Sequence, residues 1–267
     1  MDEFVTTIFT DRDKLKVNFW RGGSGTDIVL LQGGMADASM HWSPVWEDLS
    51  VNHRVLAPDL PGFGKSTPLP DANWRTLSNW LKAFLESVGV RCTAVVGNSF
   101  GGTLARAFAA YYPSSVSHLA FLDGGGYIRI GFLQRTFLAS PLGSWHLSKQ
   151  KRLGITEESL GQMMPNYRRL DAQQRLKWQQ GGGVIYSIVR GCILGPTPTD
   201  ASDLPTLIVW GKKDLHSPVE RAQILKEELV SSELVVLEHA GHLPQIDQPK
   251  EVVGLINTLI ASRSKPA

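Results

Sequence analysis

Short, wholly apolar runs alternate along this chain with amphipathic ones, and that alternation limits the fold more than any other feature. "DIVLLQ" (27–32), "HRVLAPDL" (53–60), "CTAVVG" (92–97), "VSHLAFLD" (116–123), "TLIVWG" (206–211) and "LVVLE" (234–238) are rich in Val, Ile and Leu. None of them alternates strictly between apolar and polar, so each reads as a strand buried on both faces, as in a parallel sheet. Between them, "WRTLSNWLKAFLESVG", "TLARAFAAYY", "PVERAQILKEEL" and "PKEVVGLINTLIAS" repeat their apolar residues at helical spacing. The last begins with Pro249, as a first helical residue does. Strand–helix alternation implies right-handed crossovers and an α/β fold with a mostly parallel central sheet and helices on both faces. The first two dozen residues fit an antiparallel lead-in hairpin.

The rhythm breaks at 126–203, which holds helix-like pieces, a Gly181-Gly182-Gly183 triplet and the Pro-rich exit "GPTPTDASDLP". A stretch of that length is too long for a loop inside a compact domain. We expect a core of residues 1–125 and 204–267, with 126–203 inserted as a helical cap. The insertion carries ten Lys/Arg against five Asp/Glu, in a chain whose formal net charge is only +2. Nothing in that balance points to nucleic acid. Two cysteines, Cys92 and Cys192, make no disulfide framework. The N-terminal "MDEFVTTIFT" has neither the basic start nor the apolar core of a secretory signal, and no run reaches the roughly 20 apolar residues of a membrane helix. A cytoplasmic protein acting on a small molecule, without a membrane or nucleic-acid partner, is the expectation; oligomeric state leaves no mark in the sequence.

The chemistry centres on Gly97-Asn98-Ser99-Phe100-Gly101, which fits G-x-S-x-G with a strand before it and a helix after it. In such a turn, the nucleophile elbow, the serine takes a strained backbone and larger residues two positions away would collide. A serine hydroxyl also needs a base. "LEHAGHLPQIDQP" offers His239, at a strand end, and His242, deeper in the loop and just before the last helix, and His242 is preferred. His41, His118, His146 and His216 read as surface or core residues. The imidazole in turn needs an acid. Asp214, just past the strand ending at Gly211, is favoured over Asp123, which ends the strand after the serine helix. Asp59 reads as a turn residue. Donors for an oxyanion would be the N–H of Phe100 at the helix start and that of Gly34 in "LLQGGMAD". The alternative of a phosphate loop fails, because the G-x-x-x-x-G-K-[ST] spacing is absent around Gly64-Lys65-Ser66.

Taken in order, "LLQGGM", "HRVLAPDLPGFGKS", "GNSFGG", "WGKKD" and "GHLPQIDQP" resemble the α/β-hydrolase superfamily across nearly the whole chain. The resemblance implies the α/β-hydrolase fold with an inserted helical cap, a Ser99–His242–Asp214 catalytic triad, an oxyanion hole, and no metal or organic cofactor. One departure is that the family's usual histidine-glycine before the oxyanion loop is here Gln32-Gly33. The serine separates the chain from haloalkane dehalogenases and epoxide hydrolases, which use an aspartate nucleophile.

On this basis the leading expectation is a serine esterase acting on a small to medium, largely apolar carboxylic ester. A carbon–carbon bond hydrolase of vinylogous diketones is the second; those relatives carry tryptophan after the histidine, where this chain has Leu243. Lactone or amide cleavage would use the same groups. A small-molecule receptor on the hydrolase fold is the reading from another class. Candidate pocket residues are Met35, Trp145, Trp178 and Leu243. Phe132, Phe137, Met163, Met164 and Ile185 of the insertion serve either that pocket or the insertion's own core.

Overall fold

The continuous apolar runs form strands whose alternate residues face opposite sides of one sheet. In the computed structural model, which describes residues 1–10, 13–128, 130–153, 155–164, 167, 170–179, 182–198, 204–229 and 231–262, the strands are β1 (Asp2–Phe9), β2 (Lys14–Gly22), β3 (Thr26–Leu31), β4 (His53–Pro58), β5 (Thr93–Asn98), β6 (Val116–Leu122), β7 (Thr206–Gly211) and β8 (Ser232–Leu237). They make a sheet in the order β1-β2-β4-β3-β5-β6-β7-β8. β1 and β2 form the antiparallel lead-in and β2 pairs antiparallel with β4, while every later pairing is parallel.

Helices cover both faces, which explains why the strand sequences do not alternate. Val29 and Leu31 of β3 join one core with α2 (Trp74–Ser87), α3 (Phe100–Tyr111) and α9 (Glu220–Glu228). Ile28 and Leu30 join a second core with α1 (Ala38–Ser50) and α11 (Pro249–Ala261). Burial of apolar surface on both faces, at about 25 cal/mol per Å², is what holds such a sheet. The helix α1 is absent from the sequence reading, because Pro44 sits inside it and obscures the period. Its start is marked by Asp37, whose carboxylate caps the helix by accepting the Met40 N–H at 2.9 Å.

Between β6 and β7 run α4 (Phe132–Ala139), α5 (Pro141–Leu153), α6 (Glu157–Met163), α7 (Ala172–Gln179) and α8 (Gly182–Leu194). These helices take up much of the described part of 126–203; residues 129, 154, 165, 166, 168, 169, 180, Gly181 and 199–203 lie outside the described residues. This insertion is tied to the core by a third apolar cluster that includes Met35, Leu160, Met163, Met164, Tyr167, Trp178 and Leu243. No helix among the described residues is long and apolar enough to cross a membrane.

The topology decides where chemistry can happen. Gly33 and Gly34 follow β3, Ser99 follows β5, Asp123 follows β6, Asp214 lies beyond β7, and His242 beyond β8. All leave the sheet at the carboxyl ends of parallel strands, where open α/β sheets form their clefts.

Candidate active site

Ser99 occupies a sharp turn between β5 and α3. Its φ of 51° and ψ of −116° are unfavourable for a residue with a side chain, and such strain costs on the order of 1–3 kcal/mol. The surrounding contacts impose it. The Ser99 N–H donates to the Leu122 carbonyl at 2.8 Å, and the Ser99 carbonyl accepts the Thr103 N–H at 3.2 Å. Glycine is required on each side because the backbones nearly touch. A Cβ on Gly97 would lie 2.3 Å from the Gly101 backbone, and one on Gly101 would lie 2.2 Å from the Leu31 carbonyl oxygen.

His242 meets Ser99 from the opposite side. Its Nε2 is 2.9 Å from Ser99 Oγ, and its Nδ1 is 2.6 Å from Asp214 Oδ2. The ring is buried, as are Asp214 and Asp123. The His242 backbone is fixed at both ends: its N–H donates to the Met163 carbonyl of the insertion at 3.0 Å, and its carbonyl accepts from Asn98 Nδ2 at 3.0 Å. Of the two candidate histidines, His239 is exposed and lies outside this cluster; its backbone N–H donates to Gln248.

Asp214 is oriented by the turn that carries it. Its Oδ1 accepts the N–H groups of His216 and Ser217, both at 2.8 Å, and Trp210 Nε1 donates to the Ser217 carbonyl at 2.8 Å. Burial opposes a charge on Asp214, but the hydrogen bond and charge of His242, with the Ser217 N–H, hold its carboxyl below the usual range. Asp123 differs. Burial, and then the neighbouring Asp214 charge, push its carboxyl well above the ordinary carboxylate value. The donor atoms of Asp123, Asp214 and His242 lie within 4.8 Å of one another. Such a trio could in principle hold a cation, but His242 Nδ1 and both Asp214 oxygens are already engaged in the hydrogen bonds just given.

The loop after β3 is braced from inside. The buried Gln32 amide donates to the Ala36 carbonyl at 3.3 Å, which gives the residue at the departure position a structural task. His41 is also fully buried, with Nε2 3.1 Å from the Met35 carbonyl. Burial lowers its pKa to about 4, against the opposing hydrogen bond to the Met35 carbonyl. The structure thereby gives this histidine, expected only as a surface or core residue, a part in shaping the loop that carries Gly34. Asp59 is a buried turn residue, accepting from Ala38 N–H, Lys65 N–H and Asn18 Nδ2.

A cavity of about 380 Å³ opens beside Ser99. Its wall includes Gly34, Met35, Trp74, Phe100, Ile185 and Trp210, with Ser99, Asp123 and His242 on one side. Three expected pocket residues fall elsewhere. Trp145 is 56% exposed on the outside of α5, and Trp178 and Leu243 are buried in the cluster that joins insertion and core. Trp178 packs edge-on against His41, with ring centroids 5.1 Å apart. These three are corrected for one reason: residue type announces apolar character, whereas the side of the insertion on which it falls depends on how α5 and α7 dock. Among the other insertion residues, Met163 and Ile185 reach the cavity, Met164 joins the cluster, and Phe132 and Phe137 are exposed. His216 was missed. It lines the cavity with its ring centroid 4.8 Å from that of His242, and its place two residues after Asp214 was the available signal. Arg221 is the one Lys or Arg on the wall among the described residues.

A profile described as "Alpha/beta hydrolase family" matches residues 28–255, which includes every residue of this site. The chain belongs to this family. Its relatives include 2-hydroxy-6-oxo-2,4-heptadienoate hydrolase of Pseudomonas putida, 28% identical over 262 residues covering 93% of this chain and 94% of the relative. Lipase 1 of Psychrobacter immobilis is 25% identical over 236 residues, covering 85% of this chain and 74% of the lipase. Among solved structures, a thermophilic esterase from Thermogutta terrifontis superposes with a TM-score of 0.73 at 22% identity, over 97% of this chain and 98% of that one. This alpha/beta hydrolase thus has relatives named for different hydrolytic reactions, and it shares its fold with the superposed esterase.

Proposed function

We propose that this alpha/beta hydrolase is a serine esterase that cleaves a small to medium, largely apolar carboxylic ester through an acyl-enzyme on Ser99. The observation that carries the reading is the unbroken chain Ser99 Oγ to His242 Nε2 and His242 Nδ1 to Asp214 Oδ2, at 2.9 and 2.6 Å. In this reading His242 takes the Ser99 proton as the hydroxyl oxygen attacks the ester carbonyl. Asp214 keeps the imidazole in the tautomer that presents Nε2 to the serine, and stabilises the cation that forms. The N–H groups of Phe100, the first residue of α3, and of Gly34 receive the oxyanion. His242 then protonates the leaving alkoxide and activates the water that releases the acid. The largely apolar cavity wall fits an acyl or aryl group, and Met163, Ile185 and Val189, from the stretch we read as a cap, stand on that wall. The groups required are all protein groups, so the mechanism calls for no metal or organic cofactor, and the partner is a small-molecule substrate.

A second reading, hydrolysis of a carbon–carbon bond in a dienoate, draws support from the likeness to the Pseudomonas putida enzyme over nearly the full length of both chains. Arg221 on the cavity wall is a group that could meet the carboxylate of such a substrate. A panel of p-nitrophenyl and aryl esters, lactones and a ring-fission dienoate separates the two readings when run on wild type and Ser99→Ala. Faster turnover of esters than of the dienoate, lost in Ser99→Ala, supports the esterase; preference for the dienoate supports the second reading. Covalent labelling of Ser99 by a fluorophosphonate without turnover of any substrate would favour the receptor.

A further inference from the structure

The acid side of the site holds two carboxylates where the base needs one. Asp214 accepts three hydrogen bonds, from His242 Nδ1 on Oδ2 and from the N–H groups of His216 and Ser217 on Oδ1, which leaves room for one more donor on a carboxylate. Asp123 sits one residue past β6 with a φ of 48°, is 2% exposed, and lines the same cavity. Its Oδ1 accepts the Gly211 N–H at 3.0 Å. Its Oδ2 is buried and has no donor directed at it among the described residues. A carboxylate oxygen left so, beside a second carboxylate, would suffer both desolvation and like-charge repulsion. A hydroxyl on Asp123 carries no charge and has Asp214 beside it as a side-chain hydrogen-bond partner.

We propose that Asp123 is a positioning residue that remains a neutral carboxylic acid and donates its O–H to Asp214. Asp214 is then held by donors from three places: the turn after β7, His242, and Asp123. Only one of the two acids carries charge, and that charge faces His242. The groups around the pair agree. Asp247 of α10 (Pro244–Asp247) adds negative potential that opposes ionisation of Asp123, and Lys213 is the cation that acts on Asp247. His216 borders His242 from the cavity side. The large rise of the Asp123 carboxyl and the lowering of Asp214 by the same contact follow from this arrangement.

The assignment rests on Ser99 acting through His242 and Asp214, yet it can be tested apart from turnover. Infrared difference spectra of wild type against Asp123→Asn at neutral pH should show the carbonyl band of a protonated carboxylic acid in the wild type alone. The full chain is then assayed as a function of pH. Asn keeps a donor toward Asp214 and an acceptor for Gly211, so Asp123→Asn should stay within about threefold in kcat/KM, with its acid limb unmoved. Asp123→Ala removes the donor, and kcat should fall about tenfold with KM little changed. The proposal is overturned if the band is absent. It is also overturned if the acid limb of Asp123→Asn moves down by about a pH unit, as removal of a negative charge beside His242 would require. Wild-type kcat in a folded Asp123→Ala would overturn it as well; should that variant not fold, the spectrum and the Asp123→Asn profile decide. An enzyme inactive on every substrate but showing the band would refute the esterase reading and leave Asp123 a neutral acid.

Discussion

The side-chain amide of Asn98 donates to two backbone carbonyls at once, those of Leu122 and His242, each at 3.0 Å. One residue at the end of β5 thereby fixes both the strand beside the elbow and the loop that carries the imidazole. Its neighbour Ser99 receives that imidazole at 2.9 Å, so the alignment of nucleophile and base is set by a side chain that touches neither reacting atom. Asn98→Ala should take this donor from the His242 carbonyl and leave the Leu122 carbonyl with the Ser99 N–H alone, at a cost of about 1–3 kcal/mol. Chemical denaturation should show that loss, and kcat should drop more than KM rises. Asn98→Asp should do at least as much damage, because a carboxylate cannot donate to either carbonyl.

The elbow should tolerate no side chain at Gly101. A Cβ there meets the Leu31 and Gln32 carbonyl oxygens at 2.2 and 2.4 Å, and backbone cannot step aside as a flexible side chain would. Gly101→Ala should cost about 3 kcal/mol or more, or prevent soluble expression. Thermal unfolding beside Gly161→Ala makes the comparison, since nothing lies within 4 Å of a Cβ at Gly161.

Asp214→Asn preserves shape but lets the amide donate to Nδ1, which turns the imidazole to the wrong tautomer for Ser99. The kcat of the best ester should fall by about 10³–10⁴-fold, with stability nearly unchanged. If instead Asp214→Asn retained most of its activity, and Asp123→Asn lost it, the acid would be Asp123.

His41 supplies a pH signature in stability. Its folded pKa is lowered from 6.5 to about 4 because burial disfavours the charge. As pH falls below 6.5 the unfolded chain takes up the proton first, so this group withdraws stability between about pH 6.5 and pH 4, by roughly 3 kcal/mol in all. Urea unfolding at pH 7 and at pH 4.5 should show a decline in the wild type that is smaller in His41→Gln.

Much of this architecture is written in local pattern. The strands around the sheet's centre fall within one or two residues of where their apolar runs place them, because burial on both faces leaves an uninterrupted signal at 28–31, 93–98 and 206–211. Ser99, Asp214 and His242 could be picked out because each follows such a strand, and parallel strands deliver their ends to one edge. The misplaced residues share another physics. Trp145, Trp178 and Leu243 depend on how the helices of the insertion dock against the core, a long-range matter that composition does not encode. Pro44 hid α1 because a local rule was overridden by the burial of Trp42, Val45 and Leu49 in that helix. The roles of His41 and Asn98 are equally invisible in sequence, since each acts through a backbone carbonyl that any residue could supply.

The most direct test of the central claim is a rapid quench of wild type with excess p-nitrophenyl butyrate, followed by mass analysis of the peptide that contains Ser99. The account predicts a burst of p-nitrophenol, a butyryl group on that peptide, and loss of both in Ser99→Ala. Equal turnover by Ser99→Ala, with the Ser99 peptide unmodified in the wild type, would contradict it.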